Sequence, residues 1–339
     1  MIPPAWISRP DEVNAQVARW QEDHPHLFLA ESRRQFAGWP VWALTVTDRS
    51  LDDAGKRKLM VYKPHAHEPA PIAAQMNVIS QLITGRTLDG KPSEFDNERV
   101  LRECLIVFMP DANPEGTARA PVEAWDGGQY TNEEFWAWMR GPDPETGLMW
   151  KRVDIYDERE EKVLPTRRGI VYEQIDEHCF VEPNRHHASS LFQWIFELLR
   201  RHDDWQMALD LHQTEFENSP HNAMVILPCV FDELPAEIQA YEREWAQEIV
   251  DAWAQVPGAN PIPEIKPLGY TGEQRQYFVE RWGPLYHRLP MLTSEVQNNS
   301  PRTPPALQQR LSEVAIRVSI ERLLRDRALC TKPQCSSRV

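Results

Sequence analysis

Residues 59–76 read LMVYKPHAHEPAPIAAQM. An apolar run of strand character stops at Pro64, two histidines and a glutamate follow, and Pro69 and Pro71 open a helical pattern. Polar groups at such a junction matter, because sites in α/β sheets gather beyond the carboxyl ends of strands. The rest of the chain decides whether this is such a sheet. Comparable short runs recur as VWALTVT (41–47), CLIVFMP (104–110), MALDLH (207–212), AMVILP (223–228) and PMLTSEV (290–296). Several are continuously apolar, as in strands buried on both faces. Helical patterns alternate with them: 70–85 ending at Gly85, a C-cap residue, then 188–203 and 234–256. A last helix is expected from Pro304 to about Leu329, with Thr303 as its N-cap. This alternation implies an α/β layer fold with a largely parallel or mixed sheet.

Bulk properties narrow the classes of function. The 339 residues, 41% hydrophobic with 13 tryptophans, supply a packed core. A net charge of −14 disfavours nucleic acid and anionic membranes as partners. The start, MIPPAWISRPDEVNAQ, shows no signal-peptide pattern, and no run reaches the length of a transmembrane helix, so a cytoplasmic protein is expected. Five scattered cysteines read as reduced thiols, with Cys330 and Cys335 in a mobile tail, 330–339. No repeat or linker divides the chain, so 1–329 is read as one domain, and the Gly-, Pro- and charge-rich stretch 115–185 as long irregular excursions from it.

HAHE places His65 and Glu68 at HxxE spacing, but HQTE repeats that spacing at His212 and Glu215. The spacing alone is therefore weak, and context separates the two. At 65–68 the chain turns between strand and helix, so both side chains can reach one ion. At 212–215 a continuing strand would send residues three apart to opposite faces, leaving His212 as a single ligand. Two histidines and one carboxylate with an open fourth position form a usual catalytic zinc set. His67 is the spare, an outward-facing loop histidine. HExxH, GxSxG and GxGxxG motifs are absent. Glu295 closes an apolar strand; it is either a base for a zinc hydrolase or a salt-bridged strand-end acid.

In order, HAHE, VFMPDANPEG, ALDLHQTE and TSEVQNNSP resemble the motif series of the zinc metallocarboxypeptidases, over about residues 60–315. The resemblance, to a divergent bacterial-type member, implies a twisted mixed β-sheet flanked by helices on both faces. It implies one Zn2+ per chain on His65, Glu68 and His212, Glu295 as general base, and a peptide or small amide substrate. It also implies an arginine that polarises the scissile carbonyl, for which Arg140 fits, and a loop tyrosine, for which Tyr270 fits with Tyr277 behind it. That family clamps the substrate carboxylate with the Asn-Arg of a VDxNR segment. Aligned to RVDIYDERE, the pair becomes Tyr156-Asp157, whereas Asn184-Arg185 opens a helix and Arg185 is a second candidate. Without a clamp, an amidohydrolase or deacylase on the same fold is the alternative, and a catalytically silent binding protein is another.

Overall fold

The computed structural model describes residues 1–143, 145–160 and 167–325. Four strands come first: β1 (Phe28–Arg34), β2 (Pro40–Val46), β3 (Arg57–Tyr62) and β4 (Cys104–Met109). Three short ones follow, β5 (Tyr156–Asp157), β6 (Glu173–Gln174) and β7 (Cys179–Val181), then β8 (Met207–Thr214), β9 (Ala223–Leu227), β10 (Lys266–Pro267) and β11 (Met291–Gln297). Eight of them form one mixed sheet in the order β1-β2-β4-β3-β8-β11-β9-β10. Its centre, β4-β3-β8-β11, is parallel throughout. The carboxyl ends after β3 and along β8 and β11 therefore share one edge, which sets the place of a site.

The helices are α1 (Pro10–Asp23), α2 (Pro69–Thr84), α3 (Asn97–Glu103), α4 (Pro114–Arg119), α5 (Asn132–Arg140), α6 (Ser190–Arg201), α7 (Ala236–Trp253), α8 (Gly272–Tyr286) and α9 (Pro305–Arg325). Alternation along β8 shows that both faces of the sheet are covered. Gln213 donates to Gln308 of α9 and accepts from the Ala70 amide of α2, at 2.9 Å each. Asp210 and His212, one pleat away, point to the other face. There Trp282 of α8 stacks on Tyr62 of β3 and against Phe192 of α6. Helix α2 is buried from Pro69 to Ile83, as a helix apolar on every side must be. It stops at Gly85, whose φ of 74° favours glycine.

Two expectations change. Residues 115–185 carry α4, α5, the three-stranded sheet β5-β7-β6 and a second apolar core that includes Trp125, Phe135, Trp150, Tyr172 and Phe180. This region is a built satellite, hidden in the sequence because its aromatics are spread through polar loops. Its fastening is a close backbone approach: a Cβ on Gly169 would lie 2.3 Å from the Met139 carbonyl oxygen. Thr303 does not cap α9; its hydroxyl donates to Gln297 Oε1 at 2.6 Å. The end expected at Leu329 and the Cys330–Cys335 tail lie outside the described residues, while Cys104, Cys179 and Cys229 are buried free thiols.

Candidate metal centre and substrate cavity

The turn after β3 is held from below. Lys63, fully buried, donates through Nζ to Asp111 Oδ1 at 2.8 Å and to the His65 carbonyl at 2.9 Å. Two backbone bonds, Lys63 to Met109 and Ala112 to Lys63, tie this turn to the PDANP segment after β4. Glu68 then occupies the position before Pro69, where α2 begins with its prolines in the first turn. His65 and Glu68 thus stand on two sides of one tight bend.

His212, near the end of β8, completes a buried cluster. Its Nδ1 lies 3.1 Å from both His65 Nδ1 and Glu68 Oε1, and His65 Nδ1 is 2.9 Å from Glu68 Oε1. Three ligand atoms converge on one point, as they do around a cation that takes two imidazoles and a carboxylate. The far nitrogens are held by carboxylates: His65 Nε2 by Glu182 Oε1 and His212 Nε2 by Asp210 Oδ2, each at 3.0 Å. Such outer carboxylates orient metal-binding imidazoles and raise their basicity. Glu68 Oε2 has no hydrogen-bond partner. The donor set and its outer partners fit zinc.

Charges follow the same plan. Burial alone would raise Glu68, but His212 and His65 outweigh it and hold the carboxyl well below its usual range. Burial likewise opposes a charged His212, yet Asp210 and Glu68 lift its pKa well above that of a free imidazole. Glu295 pairs in register with His212 on the neighbouring strand. Its Oε2 is buried without a partner, and burial pushes its pKa up to about 7. That value suits a group that takes up and returns protons near neutrality.

The expected outward histidine is not outward. His67 is buried, with its ring 5.3 Å from that of His65 and edge-on to Phe135 at 5.8 Å. Burial holds its pKa well below the usual value. The competing HQTE pair separates as the strand argument requires: Glu215 takes the Thr214 hydroxyl at 2.9 Å and stays out of the cluster.

A cavity of about 130 Å³ opens over the cluster. Arg140, Arg185, Tyr270 and Glu295 all line it, so the candidates named from sequence share one chamber. Tyr277 does not line it. The arginines converge on Glu182, three residues before Arg185. Arg140 Nη1 reaches Glu182 Oε2 at 2.8 Å, Arg152 Nε the same oxygen at 3.4 Å, and Arg185 Nε reaches Oε1 at 3.4 Å. Burial would protonate Glu182, but Arg140, Arg185 and Arg152 hold it well below the carboxylate range. Arg185 donates from Nη2 to the Tyr270 hydroxyl at 3.0 Å and lies over Phe278, while its Nη1 is buried and unpartnered.

The alignment to RVDIYDERE does not survive this geometry. Tyr156 stacks on Trp150 in the satellite core, and Asp157 pairs with Arg159 at 2.6 Å. Neither lines the cavity; Asn184 and Arg185 do, with Asn184 Oδ1 3.1 Å from His65 Nε2. The signal was present in the sequence as VEPNR (181–185), a VDxNR pattern with glutamate for aspartate. Arg152, Asp210 and Glu182 were missed as well. Asp210 was within reach, since residues two apart on a strand share a face.

No family model matches the chain, and no curated protein matches it in sequence. Solved structures do match. The carboxypeptidase A from Helicoverpa armigera superposes with a TM-score of 0.60 at 14% identity, over 95% of this chain and 75% of the other. Bovine thrombin-activatable fibrinolysis inhibitor, solved in complex with tick carboxypeptidase inhibitor, gives 0.57 at 11%, over 95% and 98%. The metallo-carboxypeptidase from Pseudomonas aeruginosa, in complex with (2-guanidinoethylmercapto)succinic acid, gives 0.55 at 15%, over 93% and 69%. The chain has the zinc carboxypeptidase A-like fold, with a buried His-Glu-His triad consistent with a zinc site.

Proposed function

We propose that this protein is a zinc-dependent hydrolase that removes a C-terminal residue from a peptide, with His65, Glu68 and His212 holding the metal. The observation that carries the reading is Arg185: a buried guanidinium in the same cavity as the triad, with Nη1 unpartnered. A buried donor without an acceptor is costly, and a carboxylate is its natural complement. The Tyr270 hydroxyl on Nη2 and Phe278 beneath the plane keep the fork pointed. Glu182 takes Nε, so the free end of the fork is left for substrate.

Zinc at the triad would act as a Lewis acid, acidifying a water and polarising the scissile carbonyl. The chain's own residues do the rest. Glu295 accepts a proton from the attacking water and delivers it to the leaving amine. Arg140, fixed by Glu182 and held charged by it against the cost of burial, supplies a donor for the negative charge that develops on the carbonyl oxygen. Glu182 and Asp210 keep the two imidazoles turned so that each Nδ1 faces Glu68.

The test is a matched pair of peptides, one with a free C-terminal carboxylate and one amidated, given to protein with its zinc content measured. Cleavage of the free-carboxylate peptide alone, with about one zinc per chain, supports the reading. Equal cleavage of both would make it an amidase of the same fold, and no cleavage of peptides or acyl-amino acids would favour a silent binding protein.

A further inference from the structure

The arginine wall depends on the segment 182–189, which joins β7 to α6 and carries Glu182, Asn184 and Arg185. Glu173 of β6 holds both ends of that segment. Across the small sheet its backbone pairs with Val181, the residue before Glu182. Its side chain reaches past the segment to Ser190, the first residue of α6. The Ser190 backbone N–H faces its two carboxylate oxygens at 3.2 and 3.1 Å, and the Ser190 hydroxyl donates to Oε1. That N–H is one of the donors a helix leaves unsatisfied at its start, where a negative charge is also favoured. Glu173 is buried and lies outside the cavity lining, so it touches no substrate held there.

A carboxylate closes this clasp fully only while ionised, because protonation turns one of its oxygens into a donor. Burial pushes the Glu173 pKa up to about 7, with Glu115 of α4 adding repulsion, against the bonds from Ser190 and Gln35 that lower it. Among the described residues the charge facing it is Glu115, itself met by Arg168 and, at 3.7 Å, by Arg119. Ser190 of α6 and Gln35 of the turn between β1 and β2 are neutral. We propose that Glu173 is the positioning residue of the arginine wall: by clasping Ser190 it fixes where Arg185 meets the carboxylate of a substrate. Its ionised form grips the segment and its protonated form slackens it, so carboxylate binding strengthens as pH rises through neutrality. The inference rests on the carboxypeptidase reading, because it uses Arg185 as the carboxylate anchor.

The test reads binding, so it does not depend on turnover. Zinc-loaded protein is titrated calorimetrically with N-acetyl-L-leucine, which suits the apolar lining of Leu268, Met291 and Leu292, and with its amide analogue N-acetyl-L-leucinamide. Wild type is expected to prefer the carboxylate, and Arg185→Ala to erase that preference. Glu173→Gln should weaken acetyl-leucine binding by about tenfold near pH 8 and leave the amide analogue unchanged. Near pH 6, where wild-type Glu173 is itself mostly protonated, the deficit should shrink to about twofold. Ser190→Ala keeps the backbone arm of the clasp and loses the hydroxyl, so it should give a smaller deficit with the same pH dependence; it decides the matter if Glu173→Gln does not fold. Variant affinities equal to wild type near pH 8, or a deficit of one size at both pH values, overturn this proposal, while loss of the preference in Arg185→Ala keeps the carboxypeptidase reading standing. A wild type without the preference, or a preference that survives Arg185→Ala, overturns both.

Discussion

On one wall of the cavity, His65, Glu68, His212 and Glu295 project from the ends of three neighbouring strands. On another, Arg140, Arg152 and Arg185 reach Glu182 from the end of α5, a loop and the segment after β7. The first wall is positioned by hydrogen-bonded strand register, which a short stretch of sequence specifies. The second is positioned by the satellite core and by one carboxylate shared among three guanidiniums. Strand-borne chemistry stays fixed while loop-borne chemistry can be moved along the chain, provided the charges still meet. Two walls of one chamber thus place their side chains by different physics.

Single substitutions separate the walls. Glu295→Gln is expected to lower kcat by about 10³–10⁴-fold, the upper range for a positioned base, with zinc content unchanged by mass spectrometry. Loss of zinc in that variant would make Glu295 part of the metal scaffold and erase the distinction. Glu182→Gln strikes the other wall. It removes the charge that three arginines share and weakens the acceptor facing His65 Nε2, so urea unfolding should show a loss of about 3–5 kcal/mol. Zinc affinity should fall by about 10–100-fold with it. Arg185→Ala should raise KM for a free-carboxylate peptide by about 100-fold with zinc content unchanged, as steady-state kinetics and mass spectrometry would show. An unchanged KM with a loss of stability would mean that Arg185 braces Glu182 and binds no substrate.

The smallest effect sharpens the contrast through pH. In metal-free protein burial lifts Glu295 to about 7, whereas the arginines hold Glu182 well below the usual carboxylate range. Between the unfolded carboxylate value and about 7, folded Glu295 keeps a proton that the unfolded chain has released, so its contribution to stability is lost as pH rises through that window. Glu182 behaves oppositely: its contribution is present at neutral pH and is lost as pH falls below the carboxylate range. Metal-free Glu295→Gln should therefore be more stable than wild type at pH 8, by about 1–3 kcal/mol, and indistinguishable near pH 4. Denaturant curves across that range check it. An equal gain at both ends would point to packing in place of ionisation.

The same division explains what the sequence disclosed. The apolar runs 58–63, 104–110, 207–212 and 290–296 mark parallel strands because both faces are buried, and polar residues at or just after their ends fall on the edge that carries the candidate site. His65, Glu68, His212 and Glu295 could be picked out for that reason. Asn184 and Arg185 stand within VEPNR and line the cavity, whereas the alignment to RVDIYDERE pointed to Tyr156 and Asp157, which do not. Arg140, implied only by the resemblance, lies in the cavity bonded to Glu182. The satellite core was illegible because Trp125, Phe135, Trp150 and Tyr172 follow no single period. Contacts made across long loops leave no spacing rule to read.

The opposed allegiances of β8 carry a consequence for assembly. Gln213 is keyed to Ala70 and Gln308, and Gln308 in turn donates to the carbonyls of Trp125 and Thr303. A strand docked one residue out of step would turn Gln213 toward the chamber and send His212 among the helices. Such a chain would forfeit a metal ligand and the lock on the helix layer together. Under the proposed zinc site, a mispaired molecule would lack one ligand, and metal loading would mark a correctly registered one.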